Sequence, residues 1–274
     1  MITGTLCMIV CPILEDEMVY NLLMDKDEKN LYLIENDNTK MLLPKLERNS
    51  LKYAMISEED FIARKVQFPR EKYNVVMWLR SMGLHSDPKK LKEAILADVC
   101  NVDGYVDGIM LYYGLCGQAL LGICDWAREN IKTPLTIFKD KYGKICDDCI
   151  SVPVGGPDEY LRLLKKYPGV MYLTPAVACS QDEFMEKNEL FQGLESVDMT
   201  RTEFMKFMLD SAGYKHALKI QTGLGNQEHF QAECENFVRK YGLELIYLDD
   251  EWISKDVVDR TYAEAKSFLS DKKC

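Results

Sequence analysis

Tyr105 to Gly117, YVDGIMLYYGLCG, is the stretch that decides the fold. Tyr105 to Tyr113 is an apolar run of strand length, and Gly114-Leu115-Cys116-Gly117 turns the chain. Helix-period residues follow from about Gln118 to Asn130, and Pro134 to Phe138 is a second apolar run. Strand, turn, helix and strand at this spacing make a βαβ unit, the connection that joins parallel strands. The alternation continues in both directions. Upstream, Thr5 to Leu14 (TLCMIVCPIL) is a strand followed by Glu15-Asp16-Glu17, acidic residues suited to a helix's first turn, and Leu31 to Glu35 is a short strand. Downstream, a helix at Asp158 to Tyr167 stops at Pro168-Gly169. Then come a strand at Val170 to Leu173, a mostly helical stretch at Asp182 to Ser211, and a strand at His216 to Thr222. A helix at Gln227 to Tyr241, a strand at Leu243 to Leu248 and a helix at Ser254 to Leu269 complete the chain. The pattern predicts one α/β domain over residues 1–274, doubly wound, with a mostly parallel sheet and helices on both faces. Residues 36–100 are charged and irregular, with a helix at Lys89 to Val99 after Asp87-Pro88, and read as a helical insertion on the same sheet.

Composition narrows the partners. Of 274 residues, 47% are hydrophobic and 28% charged, which is a globular balance. The net charge of −10 disfavours nucleic acid and anionic membranes, because phosphate binding needs a cationic footprint. No apolar stretch approaches the roughly 20 residues that span a bilayer. Met1 to Leu14 lacks the basic start and small-residue cleavage site of a signal peptide, so a cytoplasmic location is expected.

Ten cysteines stand against three histidines. In a reducing compartment thiols do not persist as disulfides, so the surplus points to metal, catalysis or burial. A single buried thiol is ordinary. Ligands gather at the carboxyl ends of parallel strands, and three separate cysteine positions fall there. Cys11 closes the first strand, Cys116 sits in the turn after Tyr113, and Cys146 and Cys149 follow Phe138. If those strands are neighbours, the thiols converge on one crevice. A βα loop at a helix N-terminus is also expected to lower a thiol pKa. Gly114 and Gly117 allow the sharp turn and close approach of a bound group. Cys146-Asp147-Asp148-Cys149 is a C-x-x-C, open to reading as a redox pair, a zinc half-site or chance, though it is poorly placed for a thioredoxin motif. Cys7 shares a strand face with Cys11 and reads as core.

Gly223-Leu224-Gly225 follows a strand and precedes a helix, so its N–H groups could hold an anion. It lacks the third glycine of a dinucleotide fingerprint, and a tight turn is the plainer reading. His85, His216 and His229 are scattered, and no Ser-His-Asp order, H-E-x-x-H or Walker loop is present.

Cys11, Cys116-Gly117, Asp148-Cys149, Tyr172-Leu173-Thr174 and Thr222-Gly223-Leu224-Gly225 together resemble domain-of-unknown-function family 1638, over roughly residues 5 to 250. The resemblance implies a three-cysteine site and an association with corrinoid-dependent methyl metabolism in anaerobes. The family pattern usually has a histidine one or two positions before the third cysteine, where this chain has Asp147-Asp148.

The leading expectation is a metal site ligated by Cys11, Cys116 and Cys149, with an open fourth position or with Cys146 closing it. Zinc suits such a site by holding a substrate thiol deprotonated, and a 4Fe-4S cluster with one open iron is the alternative. A small thiol, a methyl-group carrier or a corrinoid protein is the expected partner. Two other classes stay open: a metal-free thiol enzyme using Cys116, and a non-enzymatic accessory protein for a methyltransferase.

Overall fold

Alternation along the first strand divides the core into two apolar faces. In the computed structural model, which describes residues 2–187, Phe191, Leu194 and 198–270, β1 is Gly4–Val10. Leu6, Met8 and Val10 point to one face, and Cys7, Ile9 and Cys11 to the other. All are buried, as expected of a central parallel strand covered on both sides.

Around β1 the chain builds α1 (Glu15–Met24), β2 (Asn30–Glu35), α2 (Leu42–Arg48), β3 (Ala54–Ser57), α3 (Glu58–Ile62), β4 (Tyr73–Leu79), α4 (Pro88–Val102), β5 (Gly108–Tyr112), α5 (Ile123–Asn130) and β6 (Leu135–Ile137). The six strands lie in the order β3-β2-β4-β1-β5-β6, and every pairing is parallel. Residues of α1 and α2 cover the Leu6–Val10 face, and residues of α3, α4 and α5 cover the other. This is the expected doubly wound α/β sheet. Its helices begin where local chemistry directs: Asp87 accepts from the N–H groups of Lys89 and Lys90 at the start of α4, with Pro88 in the first turn.

Residues 36–100 depart from the expected helical insertion. They supply α2, α3 and α4, but they also thread β3 and β4 through the sheet, and β4 lies directly beside β1. Tyr73–Leu79 (YNVVMWL) is buried at every position. A fully buried strand has no polar alternation to mark it, so seven apolar-rich residues in a charged stretch carried little periodic signal.

The second half comprises α6 (Pro157–Lys166), β7 (Val170–Leu173), α7 (Pro175–Cys179), α8 (Gln181–Lys187), α9 (Arg201–Ser211), β8 (His216–Lys219), α10 (Gln227–Tyr241), β9 (Glu244–Tyr247) and α11 (Asp256–Ser270). Its strands form a separate parallel sheet, β7-β8-β9, and do not extend the first. Beyond β6 the chain turns back through a Lys139–Ile145 antiparallel bridge. The helix expected over Asp182–Ser211 is observed as α8 and α9; residues 188–190, 192–193 and 195–197 lie outside the described residues, as does Cys274. Finally α11 returns to the first sheet, where Val257, Val258, Tyr262, Ala265 and Leu269 join the α1 face. Among the described residues no helix is long and apolar enough to cross a membrane.

Candidate functional site

β1 and β4 are neighbours in register, Val10 opposite Leu79, yet the helices that follow them lie on opposite faces. Such a reversal leaves a crevice at the carboxyl ends of the two strands, where open α/β sheets bind ligands. Cys11 follows β1 on one side of it. On the other, the chain after β4 forms a 3-10 turn, Met82–Ser86, capped by the Ser81 hydroxyl, and this turn carries His85. Cys11 Sγ lies 3.2 Å from His85 Nε2. The imidazole stacks on Tyr113 with ring centroids 6.0 Å apart. From the second half of the chain, α7 packs on the Pro12–Leu14 turn and α8 on the His85 turn, so the crevice is roofed by the neighbouring layer.

The Cys116 turn is clasped to the Cys146–Cys149 loop by backbone alone. Leu115 N–H donates to Cys146 O at 2.8 Å and Cys116 N–H to Asp147 O at 2.9 Å. Gly114 makes this approach possible: a Cβ there would stand 2.7 Å from Cys146 O and 2.8 Å from Asp148 N and Cα. Cys116, Gly117 and Gln118 all have left-handed backbone, with φ of 48°, 66° and 67°. For Cys116 and Gln118 that conformation costs roughly 1–2 kcal/mol each. Unusual backbone that the surroundings hold in place is a feature of functional loops. It also delays α5, which starts at Ile123 and not near Gln118.

Cys11, Cys116 and Cys149 lie within reach of one another's charge, each pair of the three contributing to a raised pKa. The expected helix-terminus acidification does not occur. Burial comes first: it pushes Cys116 up to about 12 and raises Cys11 and Cys149 well above the ordinary thiol value. Desolvation penalises a lone thiolate far more than a helix end favours it. Burial likewise lowers His85 to about 4, so at neutral pH it is a neutral imidazole, the form that ligates metal or accepts a proton. Tyr113 is fully buried, it lies within charge reach of Cys11 and Cys116, and among the described residues its hydroxyl has no hydrogen-bond partner. Orphaned buried hydroxyls are rare and call for a reason.

Of the four cysteines named from sequence, Cys146 is the most deeply buried. Cys146 is fully buried among core residues that include Met110, Tyr112, Phe138 and Val152, and the charges that reach it are those of Asp140, Asp147 and Asp148. Cys7 is buried in the core as expected. Gly223 and Gly225, both at positive φ, line a pocket of about 300 Å³ with Asp16, Lys45, Arg48 and Lys255. A Cβ on Gly225 would stand 3.0 Å from Asp16 Oδ1, so glycine there admits the α1 carboxylate. Lys45 bridges Glu15 at 2.7 Å and Asp16 at 2.8 Å.

Two residues of the site went unread in the sequence. His85 was one of three scattered histidines, and its position depended on β4. Glu17 was read only as a helix-start acid, yet it is 4% exposed and its charge reaches Cys11 and Cys149. Burial, then Asp16, pushes its carboxyl up to about 8 from an ordinary 4.5. A carboxyl whose folded pKa is raised favours the folded state below the unfolded value and loses that contribution as pH rises through the folded one. Metal-free protein is therefore expected to lose stability between pH 4.5 and 8, by on the order of a few kcal/mol. Glu17→Gln is expected to flatten that decline and raise the melting temperature at pH 9. Parallel pH profiles for the two proteins would show that Glu17 is not its source.

A crevice at a strand reversal, with the Cys11 thiol against the His85 imidazole, defines the class: a doubly wound α/β protein. The chain belongs to the family described as "Protein of unknown function (DUF1638)", whose model matches residues 78–252, well over half its length. The match takes in His85, Cys116, Cys146, Cys149 and the Gly223–Gly225 loop and leaves out Cys11. No curated protein and no solved structure matches the chain.

Proposed function

We propose that this protein binds a soft metal at Cys11, Cys116 and Cys149, with zinc as the first choice and a 4Fe-4S cluster as the alternative. What supports the reading is that three thiols from three separate βα loops lie within reach of one another's charge, Cys116 raising the pKa of Cys11 and both raising that of Cys149. Their donor chemistry fits a divalent cation. Thiols held protonated by burial and mutual repulsion become good ligands once a cation supplies the missing positive charge. His85, neutral and beside Cys11, offers a further nitrogen donor, and Cys146 is assigned to the core. Among the described residues no group of three or more His, Cys, Asp or Glu side chains stands ready to hold an ion. In this reading binding rearranges the thiols from the positions described.

When bound, zinc at such a site supplies a Lewis acid that keeps a substrate thiol deprotonated, which suits methyl transfer from a corrinoid partner to a small thiol. The residues of the chain have definable parts in this. Gly114 lets the Cys116 turn close on the Cys149 loop, Tyr113 orients His85 by stacking, and α7 and α8 keep water from the crevice. The Gly223–Gly225 pocket, with Arg48 and Lys255 beside the already paired Lys45, is suited to the anionic end of a small substrate.

A metal-free thiol enzyme is the second reading, and the Cys11–His85 contact favours it. A neutral imidazole 3.2 Å from a thiol is placed to take its proton, which makes Cys11 and not Cys116 the nucleophile in that case. Metal analysis of anaerobically purified protein separates the two. About one equivalent of zinc in colourless protein, or iron with visible sulfur-to-iron bands, is the expected result. Metal-free protein in which Cys11 alone is alkylated quickly by iodoacetamide would transfer the assignment to the second reading.

A further inference from the structure

At the opposite end of the first sheet, the chain entering β1, β5 and β6 borders a cavity of about 770 Å³, more than twice the volume of the pocket beside Gly223 and within the size range of small-molecule sites. One wall is aromatic. Phe68 and Tyr105 meet with centroids 5.5 Å apart, and the Tyr105 hydroxyl donates to Val66 O at 2.7 Å, which fixes the ring. The Arg64 guanidinium lies 5.8 Å from the Tyr105 ring centroid and is pinned by donation to Asn101 O at 3.0 Å and Asp103 O at 2.9 Å. Arg70 and Lys132 line the cavity and are exposed. These three cations face the lining carboxylate Asp107, whose Oδ2 already accepts from Thr5 N–H at 2.8 Å, and Lys132 is also within reach of the Asp103 charge, whose Oδ1 is held by the Lys132 and Thr133 N–H groups.

In a chain of net charge −10, a local excess of positive charge in a concave site attracts anions selectively. An arginine seated on an aromatic ring beside exposed cations is suited to a ligand with both a flat ring and a negative group. We propose that this cavity binds a small aromatic anion of nucleoside monophosphate type, with its ring against Phe68 and Tyr105 and its phosphate held by Arg70 and Lys132. The site is separate from the thiol crevice and does not depend on a metal there.

Calorimetric titration of the intact protein with AMP tests this, with inorganic phosphate and adenosine as separate probes. Saturable AMP binding is expected at millimolar concentration or below, tighter than either fragment. Arg70→Ala and Lys132→Ala remove exposed side chains and are expected to weaken it about tenfold each, the loss of one charge-assisted hydrogen bond. Cys116→Ser is expected to leave it unchanged. The proposal is overturned by an absence of AMP binding, by phosphate or adenosine binding as tightly as AMP, or by an affinity indifferent to both charge substitutions.

Discussion

Cys116→Ser protein purified without oxygen is expected to retain less than about a tenth of the wild-type zinc, because losing even a neighbour of a ligand costs 10–100-fold in affinity and losing a ligand costs at least that. A serine hydroxyl stays protonated near neutral pH and is a hard oxygen donor, so it does not replace a thiolate on a soft ion. The fold is expected to survive. Cys116 is half-buried, and serine differs from it by one atom without altering the backbone clasp to Asp147. Cys146→Ser is the informative companion: its thiol is fully buried in the core, so stability is expected to drop while zinc stays. Metal content by emission spectroscopy, with circular dichroism on each sample, reads both effects. Wild-type zinc in Cys116→Ser would remove that residue from the ligand set.

Gly114→Ala is expected to be strongly destabilising. The added carbon would meet three backbone atoms at 2.7–2.8 Å, and backbone, unlike a side-chain tip, has no alternative rotamer to adopt. Relief requires parting the Cys116 turn from the Cys146–Cys149 loop, breaking both hydrogen bonds between them. Overpacking of this kind costs roughly 3 kcal/mol or more, and at about 2–4 °C per kcal/mol the melting temperature should fall by about 6–12 °C. Zinc retention is expected to fall with it, since the clasp sets the distance between Cys116 and Cys149. Gly117→Ala supplies the contrast. Its Cβ would meet nothing within 4 Å, leaving only the left-handed φ of 66° to accommodate, about 1 kcal/mol. Equal melting temperatures for wild type and Gly114→Ala would refute the clasp.

Strands bounded by clear turns were legible from composition alone. Gln227–Tyr241 matches its helix end to end, because Asn226 caps its start and Gly242, at φ 73°, ends it. Gly114 was identified as a point of close approach, although its partner is the Cys146–Asp148 backbone and not a bound group. β4 was not legible, and His85 was lost with it, since nothing near Met82–Ser86 in the chain points to Cys11, which lies 74 residues away. Thiol acidity was misjudged for a related reason. A helix end is visible in sequence, whereas the depth of burial that overrides it is a property of the assembled layers.

The succession of residues by itself determined an α/β fold, the loops that carry Cys11, Cys116 and Cys149, and the glycines that let those loops turn. Each is a matter of local periodicity and backbone freedom within a few residues. Strand order decided the rest. By setting β4 between β2 and β1 and roofing the crevice with α7 and α8, it placed an imidazole against a thiol and withdrew both from water. Which side chains meet, and with what protonation, depends on distances and desolvation that arise only once remote segments are packed together.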